Sequence, residues 1–348
     1  MNETTAQTSS FCTGCLAVLA TDDTTCATCQ AERPVLGWPR DRRLGATLAG
    51  GQYRAIRRLG RGGFGTVYLV ESVVGGLRRA LKVLHTEWAS DPTMRDRFVH
   101  EAIVLEQIHH PNVARCYGVG TLDDECDLYL AIEYVEGPSI ARAMGTDTAS
   151  AAPMEVTRAV RIARQVAAGL AAAHAVHVLH RDLKPENVLL AQPGTSSEQA
   201  KLIDFGIAKS LERTAAGTSV IMGTPQFMAP EQLGLAAQDG RLDLWQLGAV
   251  LYFMLTGRPP YAGETDAAGL AEAFRRDWNE GPRPSEPVPA LRAHPALDDL
   301  VSRLLAGDPR RRPPTAGVAC NELARVEHQL APAPSYNPLA LLEALCAT

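Results

Sequence analysis

Two short stretches hold side chains that together suit proton transfer and hard-oxygen metal chemistry. In "HRDLKPEN", Asp182 and Asn187 stand five positions apart with Lys184 between them, and "DFG" places Asp204 after the strand-like "AKLI". A carboxylate can take a hydroxyl proton, and an ammonium can neutralise a phosphoryl group in transfer. An amide oxygen and a second carboxylate can hold a divalent cation such as Mg2+. Upstream, "GRGGFGTVY" spaces Gly60, Gly62 and Gly65 as G-x-G-x-x-G. Without Cβ atoms such a loop admits backbone N–H groups to phosphate oxygens. In dinucleotide-binding folds the same spacing opens a helix, but Thr66, Val67 and Tyr68 follow here, so the loop caps a hairpin. Taken alone, an ordinary glycine-rich hairpin explains it equally well. Lys82, in "ALKVL", adds an ammonium that reaches phosphates, and Glu101 is a carboxylate suited to partner it.

The elements that must position these groups follow from patterning. "QYRAIRRLG", "TVYLVESVV", "LRRALKVLH" and "DLYLAIEYV" read as strands. "DPTMRDRFVHEAIVLEQIHH" reads as a helix started by Asp91-Pro92, with Phe98, Ala102 and Leu105 on one face. Beyond it, "EVTRAVRIARQVAAGLAAAHAV", "LDLWQLGAVLYFMLTG" and "ALDDLVSRLLAG" are helical. The expected fold is α+β, a small β-rich lobe with one main helix followed by a larger α-helical lobe. "GTDTASAAPM" and "AQPGTSSEQ" are polar loops.

In order and spacing these motifs resemble eukaryotic-type protein kinases, of the Ser/Thr class found in bacteria, over about four fifths of the chain. The resemblance implies a kinase domain at 53–330, with an N-lobe at 53–135 and a C-lobe at 136–330. It implies that Leu59, Gly60, Gly62, Gly63 and Gly65 cover the phosphates of ATP and that Lys82, steadied by Glu101, holds them. Val67 and Ala80 above and Leu189 below would enclose adenine, with Glu133 and Val135 as hinge partners and Ile132 as gatekeeper. Asp182 would deprotonate the substrate hydroxyl, Lys184 face the γ-phosphate, and Asn187 and Asp204 hold Mg2+ or Mn2+. Arg312 would pair with Glu231 of "APE". Lysine two positions after Asp182, and Thr224, fit Ser/Thr specificity, so protein substrates with Ser/Thr acceptors are expected. Arg181 beside the base suggests activation by autophosphorylation between Asp204 and Glu231, at Thr218 and Thr214. Gln246 stands where the family most often has serine, with little consequence expected. His180 is expected to hold backbone, and His174 and His177 to pack.

Ahead of this region, "FCTGCLAVLATDDTTCATCQ" spaces Cys12, Cys15, Cys26 and Cys29 as C-x2-C-x10-C-x2-C. Four thiolates so placed can close a tetrahedral Zn2+ site and staple a head too short to fold on its own core, resembling a compact zinc ribbon. Disulfides, a redox pair or a disordered head are the alternatives. The expected organisation is a four-cysteine module at 1–31, a linker at 32–52 and a tail at 331–348, with the module available for a docking partner. Between Cys12 and Cys29 stand Asp22 and Asp23 and no Lys or Arg, a poor match to nucleic acid. The 348 residues carry a net charge of −5, which gives no pull toward nucleic acids or anionic membranes. No apolar run suits a bilayer and "MNETTAQTSS" lacks signal-peptide character, so a cytoplasmic signalling enzyme is expected.

Overall fold

The structure, a computed structural model, describes residues 9–20, 22–122, 127–145, 151–205, 225–233, 238–264 and 267–331. These fall into two compact units. The first takes the described residues of Met1–Ser139, Ala172–Asp182 and Asn187–Met222, and the second those of Ile140–Ala171, Leu183–Glu186 and Gly223–Thr348.

The first unit is built on an antiparallel sheet. Its strands are β4 (Thr47–Leu48), β5 (Tyr53–Arg61), β6 (Gly65–Ser72), β7 (Arg78–Leu84), β8 (Cys116–Thr121) and β9 (Leu128–Glu133), in the order β4-β5-β6-β7-β9-β8. Two helices follow β7: α1 (Thr86–Ala89) and α2 (Pro92–Glu106). Asp91 caps α2, its carboxylate accepting from the N–H groups of Thr93 and Met94, and Pro92 supplies a preset φ at the first turn. The buried Phe98, Ala102 and Leu105 fall on one face of α2, as the spacing predicts. A hairpin of β10 (Val188–Ala191) and β11 (Gln199–Leu202) completes the unit's larger pieces.

The amino-terminal segment forms a second small sheet of β1 (Ser9–Phe11), β2 (Val18–Leu19) and β3 (Arg40–Asp41), ordered β2-β1-β3. Residues 32–52 were expected to be a linker, and the structure corrects this. Trp38 is buried with Cys12, Leu19 and Cys26, and its indole N–H donates to the carbonyl of Asp23 at 2.6 Å. Leu44, Leu48 and Phe11 enter the same core as Tyr68, Val70, Leu81, Val83 and Tyr129 of the main sheet. Polar contacts close over this core. Tyr68 donates its hydroxyl to Asp41 at 2.7 Å, and the Arg58 guanidinium lies 4.3 Å above the Phe11 ring and beside Asp41. Arg43 pairs with Asp127, which also accepts from Thr86. Burial, with Asp41 beside it, pushes the Tyr68 phenol up to about 12, so it stays a donor. The prolines and arginines that read as a linker are the chain's means of tying the cysteine-bearing head to the sheet.

In the second unit lie α3 (Ile140–Ala143), most of α4 (Val156–Ala175), α5 (Pro230–Leu233), α6 (Arg241–Thr256), α7 (Ala267–Arg276), α8 (Pro295–Leu304) and α9 (Ala316–Leu330). Helix α6 is buried from Leu242 to Thr256, mostly apolar but with Asp243, Gln246 and Thr256 buried among its Leu, Val and aromatic residues. Trp245 anchors it, stacking with Tyr261, meeting Phe274 edge-on and donating to the Leu305 carbonyl.

The pair expected between Arg312 and Glu231 is present. The wholly buried guanidinium donates to both Glu231 oxygens, at 2.6 and 3.0 Å, and to the carbonyls of Arg241, Ala306 and Gly307. Removing one member strands a buried charge and three carbonyls. Arg312→Ala is therefore expected to cost about 3–5 kcal/mol of stability, read as a lowered urea midpoint. A midpoint within error of the parent would show that the pair contributes nothing.

Candidate active site

The glycine-rich turn joins β5 to β6, with Gly60 opposite Val67 and Arg61 opposite Thr66. Gly65 is required by the sheet itself, because a Cβ there would lie 2.4 Å from the carbonyl oxygen of Val83. Gly60, Gly62 and Gly63 differ. A Cβ on any of them would meet no protein atom within 4 Å, and none has a positive φ. Packing does not ask for glycine at these three positions, whereas close approach of a phosphate does.

Sheet register places the remaining groups of the first unit. Val67 stands opposite Lys82, Ala80 opposite both Leu69 and Ile132, and Lys82 opposite Leu130. Leu59 lies in β5 and Leu189 in β10, both partly exposed. Glu133 closes β9. Its N–H donates to the Arg115 carbonyl, and its carboxylate accepts from the Arg115 N–H and pairs with Lys201 at 2.8 Å. Val135 is a buried residue, and its N–H has no hydrogen-bond partner among the described residues. A nucleobase edge is a group that would satisfy it.

The acid–base and metal-type groups converge at the start of β10 and the end of β11. Lys82 donates to Asp204 at 2.6 Å. Asn187 uses its amide N–H to donate to the Asp182 carbonyl at 2.8 Å and to its carboxylate at 3.3 Å, so its side-chain oxygen takes no part in either bond. The Asn187 carbonyl accepts from the Ile203 N–H at 3.0 Å, tying the segment before β10 to the segment carrying Asp204. Wholly buried His180 packs on Phe205 with ring centroids 4.7 Å apart, donates from Nε2 to the Ile203 carbonyl and accepts the Asp182 N–H at Nδ1. Its role is therefore to hold backbone. Arg181 and Asp204 both adopt left-handed backbone, at φ 61° and 53°. Non-glycine residues accept that conformation where the surroundings over-determine it, and such positions cluster at functional sites.

Lys184 stands two positions after Asp182 and falls in the second unit. Glu101 falls on α2, but its side chain lies outside the described residues, and so do Thr214, Thr218 and Thr224. Sequence reasoning missed Lys201, whose ammonium secures Glu133. The alternation along β11 (a partly buried Lys201 between buried Ala200 and Leu202) was the available signal.

The protein kinase domain family matches residues 53–323 of the chain. The chain belongs to the protein kinase family. Among its relatives, the serine/threonine-protein kinases pkn2 and Pkn1 of Myxococcus xanthus are each 38% identical to it, over 80% and 84% of this chain. PknJ of Mycobacterium tuberculosis is 38% identical over 78% of it. The chain spans well under two thirds of these relatives, covering 33%, 41% and 44% of their lengths. The kinase domain of Mycobacterium tuberculosis PknI, a solved structure, is 29% identical, with a TM-score of 0.61, covering 81% of this chain and 98% of that one.

The four amino-terminal cysteines converge in the head. Their sulfurs all lie within 4.8 Å of one another, with Cys12 and Cys29, and Cys15 and Cys26, 3.5 Å apart. Corners of a tetrahedron of bonds about 2.3 Å long lie about 3.8 Å apart, so this spacing suits one zinc ion and far exceeds a disulfide bond. The Gly14 N–H donates to Cys12 Sγ. The N–H of Cys29, joined by that of Thr28, pulls the Cys26 thiol down to about 6, while against the Ala17 N–H burial and the neighbouring thiols push Cys15 up to about 12, so the cluster's first thiolate forms at Cys26.

Proposed function

We propose that this chain transfers the γ-phosphate of ATP to Ser and Thr hydroxyls of proteins, in a Mg2+- or Mn2+-dependent reaction. The observation that carries the reading is the set of Lys82, Asp182, Asn187 and Asp204 held by one hydrogen-bonded frame, together with a loop at the head of the strand paired to that of Lys82 whose Gly60, Gly62 and Gly63 have no packing reason to be glycine. Leu59 and Gly60–Gly65 would cover the phosphates, Val67, Ala80 and Leu189 enclose the adenine, and Ile132, Glu133 and Val135 form its inner edge and hinge. Asn187 Oδ1 and the Asp204 carboxylate are the hard oxygen donors that would hold Mg2+, which when bound neutralises phosphate charge.

The chain's own groups then divide the work. Lys82, which donates to Asp204, would hold a phosphate, with Glu101 as its further partner. Asp182 takes the proton of the attacking hydroxyl, its carbonyl and carboxylate both fixed by Asn187. Lys184 neutralises the transferring group. The kinase domain is assigned to 53–330, divided near 135. Thr218 and Thr214 are the proposed autophosphorylation positions, with Arg181 as phosphate partner. The head, with Cys12, Cys15, Cys26 and Cys29, is assigned a structural Zn2+, and its exposed surface is open to a docking partner. The proposed place of action is the cytoplasm, where ATP is at hand and thiols stay reduced. No helix among the described residues is long and apolar enough to cross a membrane.

Incubation with γ-labelled ATP, Mg2+ and a generic basic protein tests the reading. Label is expected on serine and threonine of the acceptor and on this chain, and is expected to fall at least about a hundredfold in Lys82→Met. Folded protein that transfers no label, or a Lys82→Met variant as active as the parent, would defeat it.

A further inference from the structure

Gln246, where little consequence was expected, places both of its polar atoms on partners. The side chain is buried, 1% exposed, in the first turns of α6. Its Oε1 accepts the N–H of Leu183 at 3.0 Å, and its Nε2 donates to Gln232 Oε1 at 3.0 Å. That oxygen of Gln232 also accepts the Ala229 N–H at 2.9 Å. One amide thus links the backbone of the "HRDLKPEN" loop to residues 229–232, whose Glu231 is the carboxylate held by Arg312.

The Leu183 N–H belongs to the peptide bond that follows Asp182. The carbonyl of that same peptide accepts from Asn187 at 2.8 Å. The peptide plane is therefore held at both ends, by one amide side chain on each. A peptide plane so held loses its freedom to rotate, and with it the Asp182 main chain loses one of the torsions that aim its carboxylate. Glutamine carries an acceptor and a donor on the two arms of one planar amide, and here both are used.

We infer that Gln246 is a positioning residue for phosphoryl transfer, setting the Asp182–Leu183 peptide and joining it to the 229–232 segment. The inference rests on the kinase reading for its kinetic consequence but not for its structural one. At the far end, anything that shifts residues 229–232 pulls on Gln232, and through Gln246 on the peptide beside the base. The relay consequently gives the end of the segment opening at Asp204 a hydrogen-bonded line to the catalytic loop.

The test compares Gln246→Met, which keeps the volume and removes both polar atoms, with Gln232→Met, which cuts only the far end and leaves the Leu183 bond in place. With a basic protein as acceptor and saturating Mg-ATP, Gln246→Met is expected to lower kcat about tenfold with KM for ATP within about twofold. Gln232→Met is expected to lose no more than about threefold, because the Leu183 bond survives. Hydrogen exchange at the Leu183 amide should quicken about tenfold in Gln246→Met and much less in Gln232→Met. Should Gln246→Met not fold, Gln246→Ala is read in its place with the same expectations. Exchange at Leu183 is read without activity, so a parent that transfers no phosphate would defeat the kinase reading and leave the relay still tested. A Gln246→Met enzyme with kcat and Leu183 exchange near parental values overturns the inference, whatever its melting temperature. Equal losses in the two variants overturn it too, as does a KM for ATP rising in step with the loss.

Discussion

Asp182→Asn is expected to lower kcat by about 10²–10⁴ while leaving nucleotide affinity nearly unchanged. The substitution is the least disruptive one available at this site. The Asp182 carbonyl keeps its bond from Asn187, and the new amide oxygen can still accept the 3.3 Å contact that the carboxylate accepts now. The N–H of residue 182 still reaches His180. What disappears is the capacity to take a proton from an attacking hydroxyl, because an amide is not a base at neutral pH. The groups assigned to the nucleotide, Lys82, Asp204 and the Gly60–Gly65 loop, do not depend on that charge. The loss should therefore appear in single-turnover phosphorylation at saturating ATP, with nucleotide titration of the variant matching the parent. A loss of nucleotide binding in parallel with the rate would mean that Asp182 shapes the site instead of acting in it. An unchanged rate would remove it from the mechanism.

Local spacing is what made the site legible. Asp182 and Asn187 sit five apart, and the structure shows them hydrogen-bonded to each other, so the sequence distance is itself the geometric device. Strand β6, with Thr66, Val67, Tyr68 and Val70, was equally plain, and Asp91-Pro92 marked the start of α2 because capping is read from two or three neighbouring residues. What escaped were elements defined by distant partners. Arg43 lies 84 positions from Asp127, and nothing in "PRDRRLG" tells a buried clasp from a solvated basic linker until the partner is known. Strand β8 contains Gly118 and Gly120, which dilute the usual strand signal, and it is held by pairing to β9. Gln246 was visible as a departure, but its two hydrogen bonds join backbone and side chains 63 and 14 positions away. Motifs therefore expose the chemistry, while long-range polar contacts decide how firmly it is held.

Those long-range contacts give removal of the metal from the head an expected effect on the main sheet as well. One Zn2+ per chain is expected on metal analysis, falling to well below one in Cys15→Ser. The head has little else to fold on: its own core is Cys12, Leu19, Cys26 and Trp38, so two of its four buried side chains are themselves proposed ligands. Structural zinc in small domains supplies about 10–16 kcal/mol of apparent binding free energy, which here would be folding free energy for residues 9–41. Strand β1 pairs with β3, and that pairing carries Phe11 under Arg58 and Asp41 against Tyr68. If the cysteines lose their metal, β1 and β3 lose the frame that aligns them. Tyr68 and Arg58 are then left buried without Asp41, at a cost of about 1–3 kcal/mol for each unsatisfied polar group. Chelation, or Cys15→Ser, is accordingly expected to lower the melting temperature of the whole first unit and to quicken hydrogen exchange in β5 and β6, not only in the head. A separate Asp41→Ala variant, which keeps all four cysteines, should reproduce the exchange in β5 and β6 while retaining zinc. A head that stays folded and protected from exchange without metal would sink the zinc assignment. A zinc-bound head whose loss leaves β5 and β6 undisturbed would instead sink the coupling to the sheet, returning residues 32–52 to the status of a tether.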